Sequence, residues 1–423
     1  MDQPLKNLGV RVTLAAVGIN LALGILYTWS VFSKLIPEDW GWSEAQKSLP
    51  YAVACLIFSL TMVPAGRLQD RIGPRFVATF GGLLVGLGMI LASYTTSFIG
   101  YMIGFGVLAG AGFGFGYASA TPPAVKWFPA ARTGMIAGIV VSGFGLSPVY
   151  AAPLAEWMIA TLGLPDTVFY LGIAFLVIVM LLSQLLVVPP KGYVPGNATG
   201  KAAPVVGVQK KEEFSPAEMM STPQFYLLWF MYACGAGAGL MIISKLVKIG
   251  QEQADYKQGF ILVAAMAVGN GIGRIVTGSL SDKLGRRNTI LGCFVFQACL
   301  MVILSMVAKD SILANIGVLI VLSALLGANY GANLAVFPSI TKAYYGLTNF
   351  GVNYGLIFTA WGAGGFLLPL LAGALHDRYG SFTYAYYTAA GFLVLAAVIA
   401  CVVKPPHVLH DLAATDLGKD GGV

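Results

Sequence analysis

The chain has 423 residues, of which 57% are hydrophobic and only 10% charged. A soluble domain carries about 25% charged residues, enough to cover its surface. Disorder, nucleic-acid binding and a secreted disulfide scaffold are therefore excluded, and a polytopic all-α membrane protein remains. The net charge of +7 belongs to loops on one side of a bilayer rather than to a nucleic-acid surface. The 53 glycines agree, because small residues let membrane helices approach closely. Cys55, Cys234, Cys293, Cys299 and Cys401 lie in apolar runs without a CxxC spacing and read as packing residues. His376, His407 and His410 form no metal or nucleophile motif, so no cofactor is expected.

A membrane helix needs about 20 mostly apolar residues. The first such run starts at Val12 and contains Tyr27 and Trp29, with no cleavage-site pattern; it reads as a retained span. Twelve spans are predicted, over 12–36, 48–66, 75–95, 98–125, 133–160, 165–188, 223–246, 258–281, 289–308, 311–339, 348–374 and 382–403. The polar stretch 189–222, opening Pro189-Pro190-Lys191, splits them six and six. The predicted organisation is a first half over 1–188, a linker over 189–222, a second half over 223–404 and a tail over 405–423. With the N-terminus inside, 17 of the 25 Lys and Arg fall on that side, 7 on the other, and Arg274 is left within a span. The bias places both termini and the linker in the cytoplasm, in a multi-pass protein of the cell's inner membrane.

The end of span 2 reads Gly66-Arg-Leu68-Gln-Asp70-Arg71-Ile-Gly73-Pro-Arg75, and the end of span 8 reads Gly278-Ser-Leu280-Ser-Asp282-Lys283-Leu-Gly285-Arg286-Arg287. Span 11 ends in Gly373-Ala-Leu375-His-Asp377-Arg378-Tyr-Gly380, and span 5 carries a weaker copy at Pro153-Leu154-Ala-Glu156. A pattern that recurs every three spans, on alternating sides, predicts 3+3 inverted repeats within each half.

The two complete loops resemble the signature of the major facilitator superfamily. That resemblance implies a role in gating for Asp70, Arg71, Asp282 and Lys283. Thr222-Pro223-Gln224-Phe225, Lys126-Trp127-Phe128-Pro129, Asn353-Tyr354-Gly355 and Tyr27-Thr28-Trp29-Ser30 together resemble the oxalate/formate antiporter and monocarboxylate transporter branch. The likeness extends over nearly the whole chain.

Arg274 stands eight residues before Asp282, about 12 Å from the helix end and near mid-membrane. A charge there costs about 2.5–3.5 kcal/mol on insertion scales, and its own span holds no acid. A planar guanidinium suits bidentate contact with a carboxylate. The alternative is a structural Arg bonded to carbonyls of neighbouring helices. The resemblance implies the substrate role, since the family's span 8 Arg has it. Asn270 lies one turn away on the same face, where it orients the guanidinium, meets a substrate hydroxyl, or merely packs. Aligned on Asn353-Tyr354-Gly355, the second cation of the oxalate/formate antiporter, a Lys, is replaced by Trp361. One positive charge matches a monoanion, whereas a dianion would leave an uncompensated charge in low dielectric.

Residues near mid-span that would line the pocket are Leu26, Tyr27, Tyr117, Tyr330, Phe337, Phe358 and Trp361; interhelical packing is the alternative for each. An Arg does not titrate in the working range, so Asp255, Lys245 and Glu156 are candidate proton carriers, or else solvated loop charges. The expected protein is a monomeric secondary transporter of small monocarboxylates such as lactate or pyruvate. Its partners would be the monocarboxylate anion, a proton and the lipid bilayer. Alternatives are an anion exchanger of the oxalate/formate type, a sensor and a membrane enzyme; the last lacks any catalytic constellation.

Overall fold

The protein is described by a computed structural model covering residues 7–129, 132–190, 193, 213–256, 258–308, 311–346 and 349–406, with the side chains of 133, 134 and 282 left out. Most of the expected linker and tail, and the side chain of Asp282, lie outside the described residues. The described residues form helices and no strands. Twelve helices are long and apolar enough to cross a membrane: α1 (Gly9–Lys34), α2 (Glu44–Ile72), α3 (Pro74–Ser93), α4 (Phe98–Val125), α5 (Met135–Leu162), α6 (Leu164–Ser183), α7 (Pro223–Ala254), α8 (Phe260–Ser281), α9 (Arg286–Ser305), α10 (Ile316–Tyr345), α11 (Phe350–Tyr379) and α12 (Thr383–Val402).

Helix α7 runs eight residues past its expected end at 246. Hydropathy counting stops at Lys245 and Lys248, but both side chains find partners and the helix continues to Asp255, whose φ of 51° closes it. Tight turns join α2 to α3, α5 to α6 and α8 to α9. Gly73, Gly163 and Gly285 take φ of 93°, 84° and 82° there, a region open to glycine. The same turn at three-helix intervals is the backbone counterpart of the repeated loop sequence, and Gly163 is the copy that the weaker motif in span 5 obscured.

Gly9 packs on Phe128, Trp127 donates to the carbonyl of Val187 at 2.7 Å, and Phe214 N–H donates to Tyr345 O at 3.2 Å. These residues mark one end of the bundle, the terminal face. At the other end, the far face, α2 begins with a capping box. Ser43 Oγ accepts from Gln46 N–H, and Gln46 Oε1 accepts from Ser43 N–H. The next two free amides, on Glu44 and Ala45, donate to the carboxylate of Asp377 on α11 at 2.7 and 2.9 Å. One helix start is thereby completed by the other half of the chain.

Helices α2 and α11 stay together from that end inwards, with Gly373 against Glu44 and Ser48, Gly362 against Ser59, and Gly355 against Val63. Beyond that level Gly66 and Gly351 meet open space. The contact between α2 and α11 is thus tight towards the far face and open at Gly66 and Gly351.

Candidate functional site

The packing of α8 on α10 positions the central residues. Gly269 and Gly273 of α8 lie against the carbonyls of Ala324 and Ala328, while Gly327 and Gly331 of α10 lie against those of Met266 and Asn270. This is a reciprocal pair of small-xxx-small contacts, which lets two helix backbones touch. The opposite side of α8 is turned to α5. There Gly145 leaves room for Asn270 and Arg274: a Cβ at Gly145 would lie 3.2 Å from Asn270 Nδ2 and 3.5 Å from an Arg274 terminal nitrogen.

Arg274 is half-buried. Its Nε donates to Asn270 Oδ1 at 3.0 Å, and Tyr117 of α4 lies beside its guanidinium. Among the described residues no carboxylate comes within 4 Å of it. A cationic fork anchored at one nitrogen and lacking a fixed anion can take a carboxylate from outside the chain.

Aromatic rings surround this point. Residues 24–28 of α1 form a 3-10 stretch, and Gly24 within it lets α1 press on α5 at Phe144 and Ser147. Tyr27 is thereby set edge-on to Phe144, with centroids 4.9 Å apart. Its hydroxyl meets that of Tyr330 at 2.6 Å, and Tyr330 accepts from Trp361 Nε1 at 2.8 Å. Trp361 stacks on Phe358 at 5.1 Å and 13°. Above these rings, towards the far face, a narrow cavity is lined by Tyr27, Tyr330 and Asn270 together with Gly145, Pro148 and Met266. Its volume of about 10 Å³ has room for roughly one water.

The sequence-derived candidates thus separate into groups. Asn270, Tyr27 and Tyr330 line the cavity; Arg274 and Tyr117 lie next to each other one turn nearer the terminal face; Trp361 bonds to Tyr330 and stacks on Phe358. Leu26 is buried outside the cavity lining. Phe337 is stacked on Tyr232 at 4.2 Å, within the second six helices. Asp70, Arg71 and Lys283 are exposed at the terminal face. Two rings that sequence reading missed, Phe58 of α2 and Phe144 of α5, sit at the centre of the cluster. Both lie in uniformly apolar runs, and only the Gly143-Phe144-Gly145 spacing hinted at a tight helix crossing.

The charges at the far face form a second constellation. Glu44 is only 8% exposed and is met by Lys47 at 3.2 Å, Lys245 at 3.2 Å and Lys248 at 2.7 Å. Lys248 also reaches Glu252 at 3.4 Å, and both carboxylate oxygens of Glu252 lie 3.0 Å from His376 Nε2. Lys245 is 2% exposed, so it is not a solvated loop charge. Its partner, 201 residues away, could not be named from sequence. Asp255 is exposed at the end of α7. Glu156 lines a separate far-face cavity of about 280 Å³ with Lys34, Gln251 and Tyr256.

Comparison with known proteins agrees with this architecture. Over 82% of its length the chain is 28% identical to an uncharacterized MFS-type transporter, YhjX, of Escherichia coli (strain K12), covering 83% of that protein. It is 25% identical to the oxalate:formate antiporter of Oxalobacter formigenes over 94% of this chain and 92% of that one. Monocarboxylate transporter 11 of Mus musculus is 25% identical, over 92% and 86%. A solved bacterial homologue of the human lysosomal transporter Spinster, described as inward-facing and unoccupied, superposes with a TM-score of 0.64 at 16% identity, over 93% of this chain and 96% of that one. The profile of the Major Facilitator Superfamily matches residues 14–308 and 253–419. With these matches and its twelve membrane-spanning helices, the chain belongs to the Major Facilitator Superfamily and is a membrane transporter, not an enzyme.

Proposed function

We propose that this carrier moves small monocarboxylates, of lactate or pyruvate size, together with a proton, by alternating access about the centre of the bundle. One observation carries the reading: Arg274 lies in mid-span, held by Asn270 and beside Tyr117, with no carboxylate among the described residues in ion-pair distance. A singly charged anion neutralises it. Trp361 stands where the oxalate/formate antiporter pattern has a Lys, so no second cation invites a dianion. Relatives named as an oxalate:formate antiporter and a monocarboxylate transporter support an anionic carboxylate as cargo.

In this reading the site opens to the terminal face, the cytoplasm, and the protein sits in the cell's inner membrane as two six-helix halves. The carboxylate docks on the guanidinium from that side. The rings then close around the apolar part of the substrate and exclude water. The far face opens once the contacts of Glu44 and Asp377 part. Lys245, Glu156 and Asp255 remain candidates for the proton site, with Lys245 favoured by its burial against Glu44.

The test is uptake of labelled monocarboxylates into proteoliposomes by wild type and Arg274→Ala. Uptake driven by a pH gradient alone, and reduced at least a hundredfold by the substitution, is the expected result. Uptake retained in the variant overturns the role of Arg274. Uptake that requires a carboxylate inside the vesicle replaces symport with exchange.

A further inference from the structure

We infer that Phe58 is a specificity-determining residue, which sets the length of the apolar tail that the carrier accepts; the inference rests on the proposed monocarboxylate function. Phe58 lies halfway along α2 and is 2% exposed. Its ring meets Tyr117 at 5.4 Å and Phe144 at 5.6 Å on one side. On the other it meets Trp361 at 5.2 Å and Phe358 at 6.1 Å. The first pair belongs to the first six helices and the second pair to the last six, so this ring joins the aromatic surfaces of both.

Through its neighbours, Phe58 completes a closed circuit. Tyr27 abuts Phe144, Phe144 abuts Phe58, Phe58 abuts Trp361, Trp361 donates to Tyr330, and Tyr330 bonds back to Tyr27. Residues from α1, α2, α5, α10 and α11 thereby form a septum across the centre of the bundle. Arg274 and Tyr117 lie on its terminal-face side, and the one-water cavity lies beyond it.

A carboxylate on Arg274 occupies the polar corner made with Asn270 and Tyr117. Its apolar tail is excluded from that corner and has to lie against the rings of Tyr117, Phe144 and Phe58, where Tyr117 and Phe144 themselves meet edge-on at 5.4 Å. Tyr117 is tied to the guanidinium, and Phe144 is wedged between Tyr27 and Phe58. Phe58 carries no polar group, so cutting back its ring removes no hydrogen-bond donor to the carboxylate, and Tyr117 keeps its contacts with Phe144 and the guanidinium. The space released lies where additional methylenes would go, and each newly buried methylene raises affinity about fourfold.

The test uses straight-chain monocarboxylates of increasing length, measured in proteoliposomes as kcat/KM for wild type, Phe58→Ala and Phe58→Leu. In the Ala variant the ratio of the longest to the shortest acid should rise at least tenfold, through a lower KM for the long acid. Leu should shift it in the same direction but less. Should Phe58→Ala fail to insert as a monodisperse protein, Phe58→Leu carries the comparison alone. An unchanged ratio, with all acids slowed alike, assigns Phe58 to packing and overturns the inference while leaving the proposed function standing. If wild type carries none of the acids, both fall together.

Discussion

Lys245 of α7 reaches across the interface to Glu44 of α2, its Nζ 3.2 Å from Oε2 and 3.1 Å from the backbone carbonyl of the same residue. The contact closes the far face from both sides of the interface. The lysine has left water almost entirely, and the carboxylate also binds Lys47 and Lys248. Removing one partner of a buried ion pair costs about 3–5 kcal/mol, because the other charge stays desolvated.

Glu44→Gln is therefore expected to destabilise the closed far face far more than the opened one, where Lys245 is hydrated. Ser48 lies one turn along α2, buried, and donates to the carbonyl of Glu44. In a background without native cysteines, Ser48→Cys should react with a hydrophilic maleimide at least ten times faster when Glu44 is Gln. Asp377→Asn weakens the two helix-cap contacts and should speed labelling more modestly, in keeping with about 1 kcal/mol for a lost cap. Equal labelling rates in all three proteins would rule out this latch.

Trp361 provides a charge test of the centre. Trp361→Lys places a second cation beside Tyr330, where the indole N–H now donates. An unmatched buried charge is costly, so the variant should lose monocarboxylate uptake and gain uptake of a dianion such as oxalate. A tenfold shift in the ratio of the two kcat/KM values is the expected minimum, read from paired proteoliposome assays. A fixed ratio argues that charge counting at the centre does not govern selectivity.

Helix contact is testable at Gly331. A methyl group there would run into the carbonyl of Asn270 and lie 2.8 Å from its Oδ1, the atom that holds Arg274. Gly331→Ala should cost about 1–3 kcal/mol through overpacking, lowering the melting temperature in detergent and weakening substrate binding. Gly271, also on α8, meets only Leu146 at 3.5 Å. Gly271→Ala serves as the control and should leave both measurements near the wild-type values.

The number of helices and their repeat could be read from sequence because each span is written in about twenty consecutive apolar residues. Arg274 stood out for the complementary reason: a charge in such a run is costly and needs a partner, whether a substrate carboxylate or the carbonyls of neighbouring helices. The end of α7 was not, since hydropathy stops at Lys245 and the residue that neutralises it belongs to α2. Phe58 and Phe144 were invisible for another reason. An aromatic ring inside an apolar run looks the same whether it faces lipid, packs between helices or walls the centre, and only the three-dimensional crossing of α2, α5 and α11 separates these cases. The Gly269 and Gly273 spacing was visible in the chain, but its partners on α10 were not.

Arg274 has an electrical consequence. Among the described residues no carboxylate lies against its guanidinium, so the substrate alone matches its charge; because the proposed cycle carries a proton with the anion, the filled and the empty carrier hold the same net charge. A membrane potential acts on one elementary charge with about 2.3 kcal/mol per 100 mV for a full crossing. Anion and proton crossing together carry no net charge, so the membrane potential adds nothing to the driving force of the proposed symport. Uptake that changed with voltage would instead mark the anion as crossing without its proton.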